Sequence, residues 1–544
     1  MITRRTSIKA LAGAAVGMGF DSGASAQRRR IAEGMFQPTW ESLKQYKAPD
    51  WFRDAKFGIW AHWSAQCVPE QGDWYARQMY IQGSPHYNFH VQNYGHPSKF
   101  GFMEIDHRWK ADKWQPDILI SRYVKAGAKY FVSLANHHDN FDCYDSSHHP
   151  WNSVRIGPRK DIVGTWARIA RSHGLRFGVT NHSAHSWHWF QTAYGYDPEG
   201  ELAGVPYDGF TQRGSGKGKW WEGLDPQALY TGPNMVMPKG ITSIQEANKW
   251  HQEHDRLWSE EPPPNNPQFV ETWFLRCQEL IDKYQPDLLY FDNTELPLGQ
   301  AGLDIAAHLY NSSIKRHRSL EAVLNSKGLK PDHIGTMVLD IERGRADHIL
   351  DAPWQTDTCI GEWHYRRSLY EQHRYKTVKQ VIQTLVDIVS KNGNLLLNIP
   401  LRGDGSIDED ESAFIDGLAS WMPANGESIF GTRPFKVFGE GPPDLAGTGN
   451  FNEGKARPFT AGDIRFTTKG DILYATALGW PDDGKVTIAT LAQGGNEYPK
   501  SIGRVELLGS SGPLLFNRQA SGLVVTLPQV KPNEYAYVLK ILPA

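Results

Sequence analysis

The stretch that decides the fold is PDLLYFDNT, residues 286–294. After a proline, a short apolar run leads directly into Asp292 and Asn293. An apolar run of this length is typical of a buried strand in a parallel sheet. In a (β/α)8 barrel, the carboxyl ends of such strands form the active face. The stretch therefore predicts a barrel strand whose carboxyl end presents Asp292 as a nucleophile.

The same pattern recurs between residue 55 and about residue 400, with helical segments between the apolar runs. The predicted strands are 56–63, 129–136, 176–181, 287–292, 337–341 and 394–399. Apolar residues recur with a period of 3.6 in segments such as 161–173 and 376–391. This alternation predicts parallel β/α units, with two further strands in the less regular stretches between them.

Polar residues follow every predicted strand. They are His62 with Trp63, His137 with His138, His182, Asp292, Glu342 with Arg343, and Asn398. Turn residues alone would be expected to be Gly, Ser, Asn and Asp, not repeated His, Trp and Arg. Because the carboxyl ends of barrel strands meet on one face, the pattern predicts one site assembled from six strands.

The length and composition restrict the class of protein. A chain of 544 residues exceeds the usual single domain, so two domains are expected. A net charge of −2 argues against a nucleic-acid or anionic-membrane partner. The 20 Trp residues are more than core packing normally needs, and sugars are one ligand class that uses aromatic faces. The four cysteines are scattered without a CxxC spacing, which indicates buried free thiols.

The chain divides into three predicted regions. Residues 1–26 resemble a twin-arginine signal peptide, with Arg4-Arg5 before an apolar run and Ala24-Ser25-Ala26 at the cleavage site. Export to the periplasm or outside the cell follows, without a membrane anchor after processing. Residues 27–425 are the predicted barrel, with a Trp- and Gly-rich insertion at about 184–267 that we expect to form a wall of the site.

After residue 425 the periodicity of the sequence changes to two. Alternating segments occur at 472–477, 485–491, 505–508, 523–527 and 535–541, separated by turn residues. This pattern predicts a C-terminal antiparallel β-sandwich over residues 426–544.

The histidine-rich strand ends have two interpretations. Imidazoles at the end of a strand can reach one pocket and bind sugar hydroxyl groups, or they can bind a metal ion. A barrel metallohydrolase would carry an H-x-H pair on its first strand, which is missing here, and no H-E-x-x-H motif occurs. Sugar binding is therefore favoured and no metal is predicted. Glycoside cleavage with retention needs a second carboxyl group about 5 Å from Asp292.

Several motifs in combination resemble glycoside hydrolase family 29, the α-L-fucosidases. They are His62-Trp63, Trp74-Tyr75-Ala76-Arg77, His137-His138-Asp139, Trp151-Asn152, the segment 157–161, Tyr290-Phe291-Asp292, the segment 390–398 and Asn425-Gly426-Glu427. The resemblance covers residues 40 to 435. It implies a barrel with a C-terminal β-sandwich, a retaining exo-mechanism without a cofactor, and Asp292 as the nucleophile.

The resemblance also assigns the sugar-binding residues. It implies that His62, His137 and His138 bind the sugar hydroxyl groups and that Arg343 lies in the sugar-binding segment. We further expect Trp74 and His182 to line the pocket. The fucose methyl group needs an apolar niche, for which Trp63, Phe141 and Trp354 are candidates.

The identity of the acid/base is open at this point. Many members of the family carry a Trp-Glu pair where this chain has Trp354-Gln355, and an amide cannot donate the proton. Glu342, at the carboxyl end of a predicted strand, is the first candidate. The alternatives are Glu362, Asp357 and Glu295.

The predicted activity is the release of terminal α-L-fucose from glycans by a retaining exo-hydrolase. One alternative is a hydrolase of the same fold that acts on another α-L-glycoside, such as an α-L-galactoside, because a pocket that tolerates an added hydroxyl discriminates weakly. A second is a non-catalytic carbohydrate-binding protein. The expected partner is a glycan substrate, and the oligomeric state, including a homo-oligomer, is open.

Overall fold

The computed structural model describes residues 29–443 and 447–544, so the predicted signal peptide at 1–26 lies outside the described residues. Eight parallel strands close into a barrel in chain order, and β8 pairs with β1. They are β1 (Phe57–Ala61), β2 (Tyr130–Asn136), β3 (Arg176–Asn181), β4 (Leu288–Phe291), β5 (Val323–Ser326), β6 (Val338–Glu342), β7 (Trp354–Cys359) and β8 (Gly393–Asn398). The predicted barrel is therefore confirmed.

The six predicted strands all occur, and the two further strands are β5 and β7. Both lie beside crossovers that lack an α-helix among the described residues. The β5–β6 connection contains only the 3-10 helix Pro331–His333, and the β6–β7 connection contains none. β5 is four residues long and half polar, and β7 is mostly polar, so neither shows the apolar run that identifies β6 and the other predicted strands.

Six longer helices pack around the barrel. They are Pro116–Lys125, Ile162–Ser172, Pro267–Tyr284, Gln300–His317, Val378–Ser390 and Glu409–Asn425. The last two begin with capping boxes, in which the side chains of Thr377 and Asp408 accept from the backbone amides of Gln380 and Glu411, and the backbone amides of Thr377 and Asp408 donate to the side chains of Gln380 and Glu411. The shorter helices are Trp40–Leu43, Asp50–Ala55, Tyr75–Gln78, Pro85–Asn93, Phe102–Arg108, Ser186–Trp189, Pro226–Leu229, Ile244–Glu253 and Arg367–Glu371.

The C-terminal strands form two antiparallel sheets with their own hydrophobic core, as the β-sandwich prediction requires. One sheet has the order β13-β16-β11-β10-β9 and the other the order β12-β15-β14. The strands are β9 (Arg433–Glu440), β10 (Ile464–Lys469), β11 (Ile472–Ala477), β12 (Lys485–Ile488), β13 (Ile502–Leu507), β14 (Phe516–Gln519), β15 (Gly522–Thr526) and β16 (Tyr537–Pro543).

The four cysteines are buried free thiols, as predicted. Among the helices of the described residues, none is both long enough and apolar enough to cross a membrane.

A buried ion cluster joins the barrel to the C-terminal sheets. Asp387, on helix Val378–Ser390, accepts hydrogen bonds from Lys391 Nζ at 2.8 Å and from Arg465 Nε of β10 at 2.5 Å. Burial alone would raise the pKa of Asp387, but Lys391, Arg465 and Arg345 hold the pKa at about 2. The cluster is stable because each buried charge has a partner of opposite sign.

Replacing Asp387 by Asn should destabilise the protein by about 3–5 kcal/mol near neutral pH, because buried cations lose their counter-charge. The folded-state pKa lies below the unfolded value, so this stability is present above about pH 4 and is lost as the pH falls towards 2. Thermal unfolding at several pH values measures the difference. The control is Asp471→Asn, which removes an exposed carboxylate paired with Lys500. Equal melting temperatures for Asp387→Asn and wild type would contradict the role of the cluster.

Candidate active site

A cavity of about 510 Å³ opens at the carboxyl ends of the barrel strands. Asp292, directly after β4, lies at its floor with 7% of its surface exposed. Its Oδ2 accepts from His182 Nδ1 at 2.9 Å and contacts His138 Nε2 at 3.1 Å, and its Oδ1 pairs with Lys327 Nζ. Burial alone would raise the pKa of Asp292, but Lys327 and then His182 hold it well below the ordinary value. Asp292 is therefore ionised.

The imidazole of His138 has acceptors at both nitrogens. Its Nδ1 lies 2.7 Å from the backbone oxygen of His182, and its Nε2 faces the Asp292 carboxylate. His138 thus links the Asp292 carboxylate to the backbone directly after β3.

Lys327, directly after β5, bridges two carboxyl groups. Its Nζ contacts Asp292 and also Oε2 of Glu342, the last residue of β6. Glu342 is 6% exposed. Burial raises the pKa of Glu342 and Lys327 opposes this, which leaves the pKa at about 7. The two carboxyl groups on one ammonium therefore have pKa values on opposite sides of their ordinary range.

A second carboxyl pair lies beside Glu342, because Glu342 pairs with Asp357 across β6 and β7 and Asp340 lies two residues earlier on β6. Asp357 of β7 accepts from Tyr290 Oη at 3.1 Å, and Asp340 of β6 accepts from Gln355 Nε2 at 2.8 Å. Burial is the main cause that raises the pKa of Asp357 well above its ordinary value and that of Asp340 to about 7. Asp357 is thus protonated in the cavity wall, where it is hydrogen-bonded to Tyr290.

Three neutral histidines form the opposite wall. The rings of His62, His137 and His182 lie 5.1–5.2 Å from one another between centroids. Burial lowers the pKa of all three, well below the ordinary value for His62 and His137 and to about 4 for His182. Both ring nitrogens of His62 lack a hydrogen-bond partner among the described residues, and so does Nε2 of His182. These nitrogens are available to a polar ligand.

Two groups of histidines have the spacing that a metal ion could use. They are His62, His137 and His364, and His137, His138 and His182, with one nitrogen of each ring within 4.8 Å of the others. The Lys327 ammonium carries positive charge in the same cavity and would repel a cation. We therefore interpret the neutral rings as ligands for hydroxyl groups.

Aromatic side chains flank the mouth of the cavity. Trp74 and Trp258 lie nearly parallel, 6.3 Å apart between ring centroids. Trp258 belongs to the long excursion between β3 and the helix Pro267–Tyr284, as expected of the insertion. Phe451, from the connection after β9, lines the cavity as well.

Comparison with known proteins identifies the family. A family model described as Alpha-L-fucosidase matches residues 23–427, and one described as Alpha-L-fucosidase C-terminal domain matches residues 457–542. The chain belongs to the alpha-L-fucosidase family of glycoside hydrolases. The resemblance noted in the sequence is thereby confirmed, and the protein is an enzyme of this class.

Individual relatives and solved structures agree with the family. Rat tissue alpha-L-fucosidase is 26% identical over 533 residues, which cover 95% of each chain. Human plasma alpha-L-fucosidase is 26% identical over 91% of this chain and 89% of that protein. The structure of a Thermotoga maritima alpha-fucosidase in complex with fucose aligns with a TM-score of 0.65 at 25% identity, covering 93% of this chain and all of the other. The same protein with a mechanism-based inhibitor aligns with a TM-score of 0.66 at 26% identity, over the same shares of both chains.

Most of the residues that the sequence predicted for the family's site lie around this cavity. They are His62, Trp74, His137, His138, His182, Asp292, Glu342, Arg343 and Asp357. Arg343 donates from Nε to Glu453 Oε1 at 2.8 Å, so part of its guanidinium already has a partner on the C-terminal side.

Trp63 and Trp354 do not line the cavity. Since β1 places His62 towards the cavity, the next side chain, Trp63, points away, where it packs on Trp109 and donates to the Arg402 backbone oxygen. Trp354 is the first residue of β7 and so lies at the amino end of the barrel, where it donates to Lys391. The expectation that either forms a niche for the sugar methyl group is not supported.

Two of the four acid/base candidates lie away from the cavity. Glu295 pairs with His333 and Lys330, and Glu362 pairs with Arg366. Gln355 lies inside the barrel and accepts from Tyr130 Oη at 3.0 Å, so a carboxyl group at this position would not line the cavity.

Lys327 and the mouth residues Trp258 and Phe451 were not predicted from the sequence. Lys327 follows the unrecognised strand β5, and its signal is a charged residue directly after the short run Val323–Ser326. Phe451 lies far along the chain from every barrel strand, and no local pattern indicates its position.

Replacing Lys327 by Met removes the ammonium and keeps an unbranched chain. We expect the pKa values of both Asp292 and Glu342 to rise, because the cation that favours both ionised forms is lost. Difference infrared titration measures this, with bands assigned from Asp292→Asn and Glu342→Gln. The matched control is Lys330→Met, which removes an exposed lysine of the same loop that pairs with Glu295. Wild-type titration of both carboxyl groups in Lys327→Met would contradict the bridging role.

Proposed function

We propose that the enzyme releases terminal α-L-fucose from glycans by double displacement with retention of configuration. The observation that carries this proposal is the Lys327 bridge between Asp292 and Glu342. Since one nitrogen touches both groups, their nearest oxygens are separated by at most two ion-pair contacts. Retaining enzymes need carboxyl groups about 5–5.5 Å apart, whereas inverting enzymes need about 6.5–9.5 Å to admit a water molecule.

The protonation states support the assignment of roles. Asp292 is ionised, which is the form that attacks the anomeric carbon. Glu342 has a pKa of about 7 and holds its proton below that pH, which is the form that a general acid needs. Two carboxyl groups whose surroundings separate their pKa values are the usual sign of such a division of roles.

The proposed reaction has two steps. In the first, Asp292 forms an ester with the anomeric carbon while Glu342 gives its proton to the departing glycosidic oxygen. In the second, Glu342 takes a proton from water, whose oxygen attacks the anomeric carbon and releases Asp292. The negative charge thus moves from Asp292 to Glu342 and back. Lys327 contacts both positions, so its ammonium keeps an anionic partner throughout.

The choice of fucose is supported by the relatives, which are named alpha-L-fucosidases, and by the solved complex of one similar structure with fucose. In this proposal His62, His137 and His182 bind the sugar hydroxyl groups. Both ring nitrogens of His62 and Nε2 of His182 have no hydrogen-bond partner among the described residues, and a neutral imidazole can donate to or accept from a hydroxyl group. If the enzyme hydrolysed an aryl α-L-galactoside faster than the corresponding α-L-fucoside, L-galactose and not L-fucose would be its preferred sugar.

Azide separates the two proposed catalytic roles. With Asp292→Gly, azide should restore turnover of an aryl α-L-fucoside and yield the β-fucosyl azide, because azide attacks in place of the missing carboxylate. With Glu342→Gly, azide should yield the α-fucosyl azide, because it attacks the ester on Asp292. The loss of activity before rescue should be at least about 10²-fold for Glu342→Gly. Proton NMR of the products measures the anomeric configuration.

The matched control is Glu295→Gly, which removes a candidate carboxyl group outside the cavity and should retain activity without azide. Wild-type activity in Asp292→Gly, or the same anomer from both variants, would refute the assignment.

We also propose export by the twin-arginine route, which rests on the sequence of residues 1–26 alone. Replacing Arg4 and Arg5 by Lys should leave the full-length precursor in the cytoplasm, because the paired arginines are the signal that the export machinery reads. N-terminal sequencing of cell fractions measures this, and Lys9→Arg serves as the control. Wild-type processing of the double variant would contradict the proposal.

A further inference from the structure

A segment of the C-terminal region lies across the active face of the barrel. After β9, residues 447–455 run over the ends of β6 and β7. Gly449 forms an isolated antiparallel bridge with Arg345, and the Glu453 backbone amide donates to the Arg343 backbone oxygen at 3.1 Å. The residues directly after β6, the strand that ends in Glu342, therefore contact residues 447–455.

Asn450 joins two of the charged residues through their backbone. Its Oδ1 accepts from the Glu342 amide at 3.0 Å, and its Nδ2 donates to the Lys327 backbone oxygen at 3.2 Å. One side-chain amide thus fixes the ends of β5 and β6 relative to each other. This places Asn450 as a positioning residue for Glu342 and Lys327.

Phe451 lies beside Glu342 and remains accessible to a ligand. Its backbone amide donates to the Glu342 backbone oxygen at 2.7 Å, and its side chain lines the cavity with 60% of the residue exposed. Its φ is +54°, a conformation that bulky residues rarely adopt and that persists where the surroundings fix it. An exposed aromatic ring held in this way has no packing function that would explain its position.

An ion network holds the segment on the barrel. Glu453 accepts from Arg343 Nε at 2.8 Å, from Lys376 Nζ at 2.7 Å and from Thr358 Oγ1 at 2.8 Å. Burial alone would raise the pKa of Glu453, but Lys376 and Arg343 lower it. The carboxylate is therefore charged and binds three different barrel positions.

We propose that residues 447–455 form the leaving-group side of the substrate site, with Phe451 packing against the sugar ring next to the fucose. This inference rests on the proposed function, in which Glu342 protonates the glycosidic oxygen. In the proposed function His62, His137 and His182 bind the fucose, so the aglycone lies on the side of the cavity beside Glu342. The partner of Phe451 is the apolar CH face of a hexose ring, and Trp74 and Trp258 flank the same mouth.

The experiment compares two substrates that differ in the leaving group. A fucosyl disaccharide places a hexose beside Glu342, whereas α-L-fucosyl fluoride places only a fluorine there. For Phe451→Ala we expect kcat/KM to fall roughly tenfold on the disaccharide, because an apolar contact is lost, and to stay within about twofold on the fluoride. Inhibition by L-fucose should not change. An equal loss on both substrates, or none on the disaccharide, would overturn the proposal.

The matched control is Leu515→Ala, which removes an exposed apolar side chain from the C-terminal sheets away from the cavity and should change neither rate. If the wild-type enzyme hydrolyses neither substrate, the proposed function fails and Phe451 is tested by calorimetry. Weaker disaccharide binding by Phe451→Ala with unchanged L-fucose binding would then support the contact, and unchanged disaccharide binding would overturn it.

The dependence of the rate on pH tests whether Asn450 positions Glu342. Asn450→Ala should shift the alkaline limb of the kcat/KM profile on the disaccharide, where Glu342 must donate a proton, and leave the kcat/KM profile on the fluoride unchanged because fluoride departs without one. Asn450→Asp keeps the acceptor for the Glu342 amide and should restore part of the wild-type profile. Identical profiles for Asn450→Ala and wild type would show that Asn450 does not position Glu342.

Discussion

The contact of one ammonium with two carboxyl groups determines how the active face is built. Taking three charges out of water is favourable only when they pair, and Lys327 pairs with Asp292 and Glu342 together. The register of the barrel strands brings these groups together. Phe291 of β4 pairs with Ser326 of β5, so the residues that follow them, Asp292 and Lys327, lie side by side. The position of the charged groups thus follows from strand pairing and not from loop conformation.

Much of the fold and part of the site could be predicted from local patterns. Asp292 and the histidines each follow an apolar strand that is flanked by a helix, and that combination is visible in a single sequence. β5 is only four residues long and half polar, and β7 reads Trp-Gln-Thr-Asp-Thr-Cys. Neither shows an apolar run, so Lys327 could not be assigned to a strand end.

The errors at the tryptophans have a simple geometric origin. Proximity in sequence to a strand end does not fix the face to which a side chain points, and Trp63 alternates away from His62. β7 was not predicted, so the sequence did not show that Trp354 begins a strand. As the first residue of β7, Trp354 lies at the amino end of the barrel, opposite the active face. Among the carboxyl groups, Glu342 differs from Glu362 and Glu295 in that it lines the cavity and contacts Lys327, and such a contact between separate strands leaves no local pattern.

The amide of Asn450 has a consequence for biosynthesis. A ribosome makes the whole barrel, with Asp292, Lys327 and Glu342, before it makes the residue that ties the last two together. The barrel can acquire its strands and helices as it emerges, since domains generally fold as units in order of synthesis. Its active face, however, is completed only when the nascent C-terminal sheets have docked. A translation product that stops after the barrel would carry Asp292, Lys327 and Glu342 without the Asn450 amide that ties the last two together.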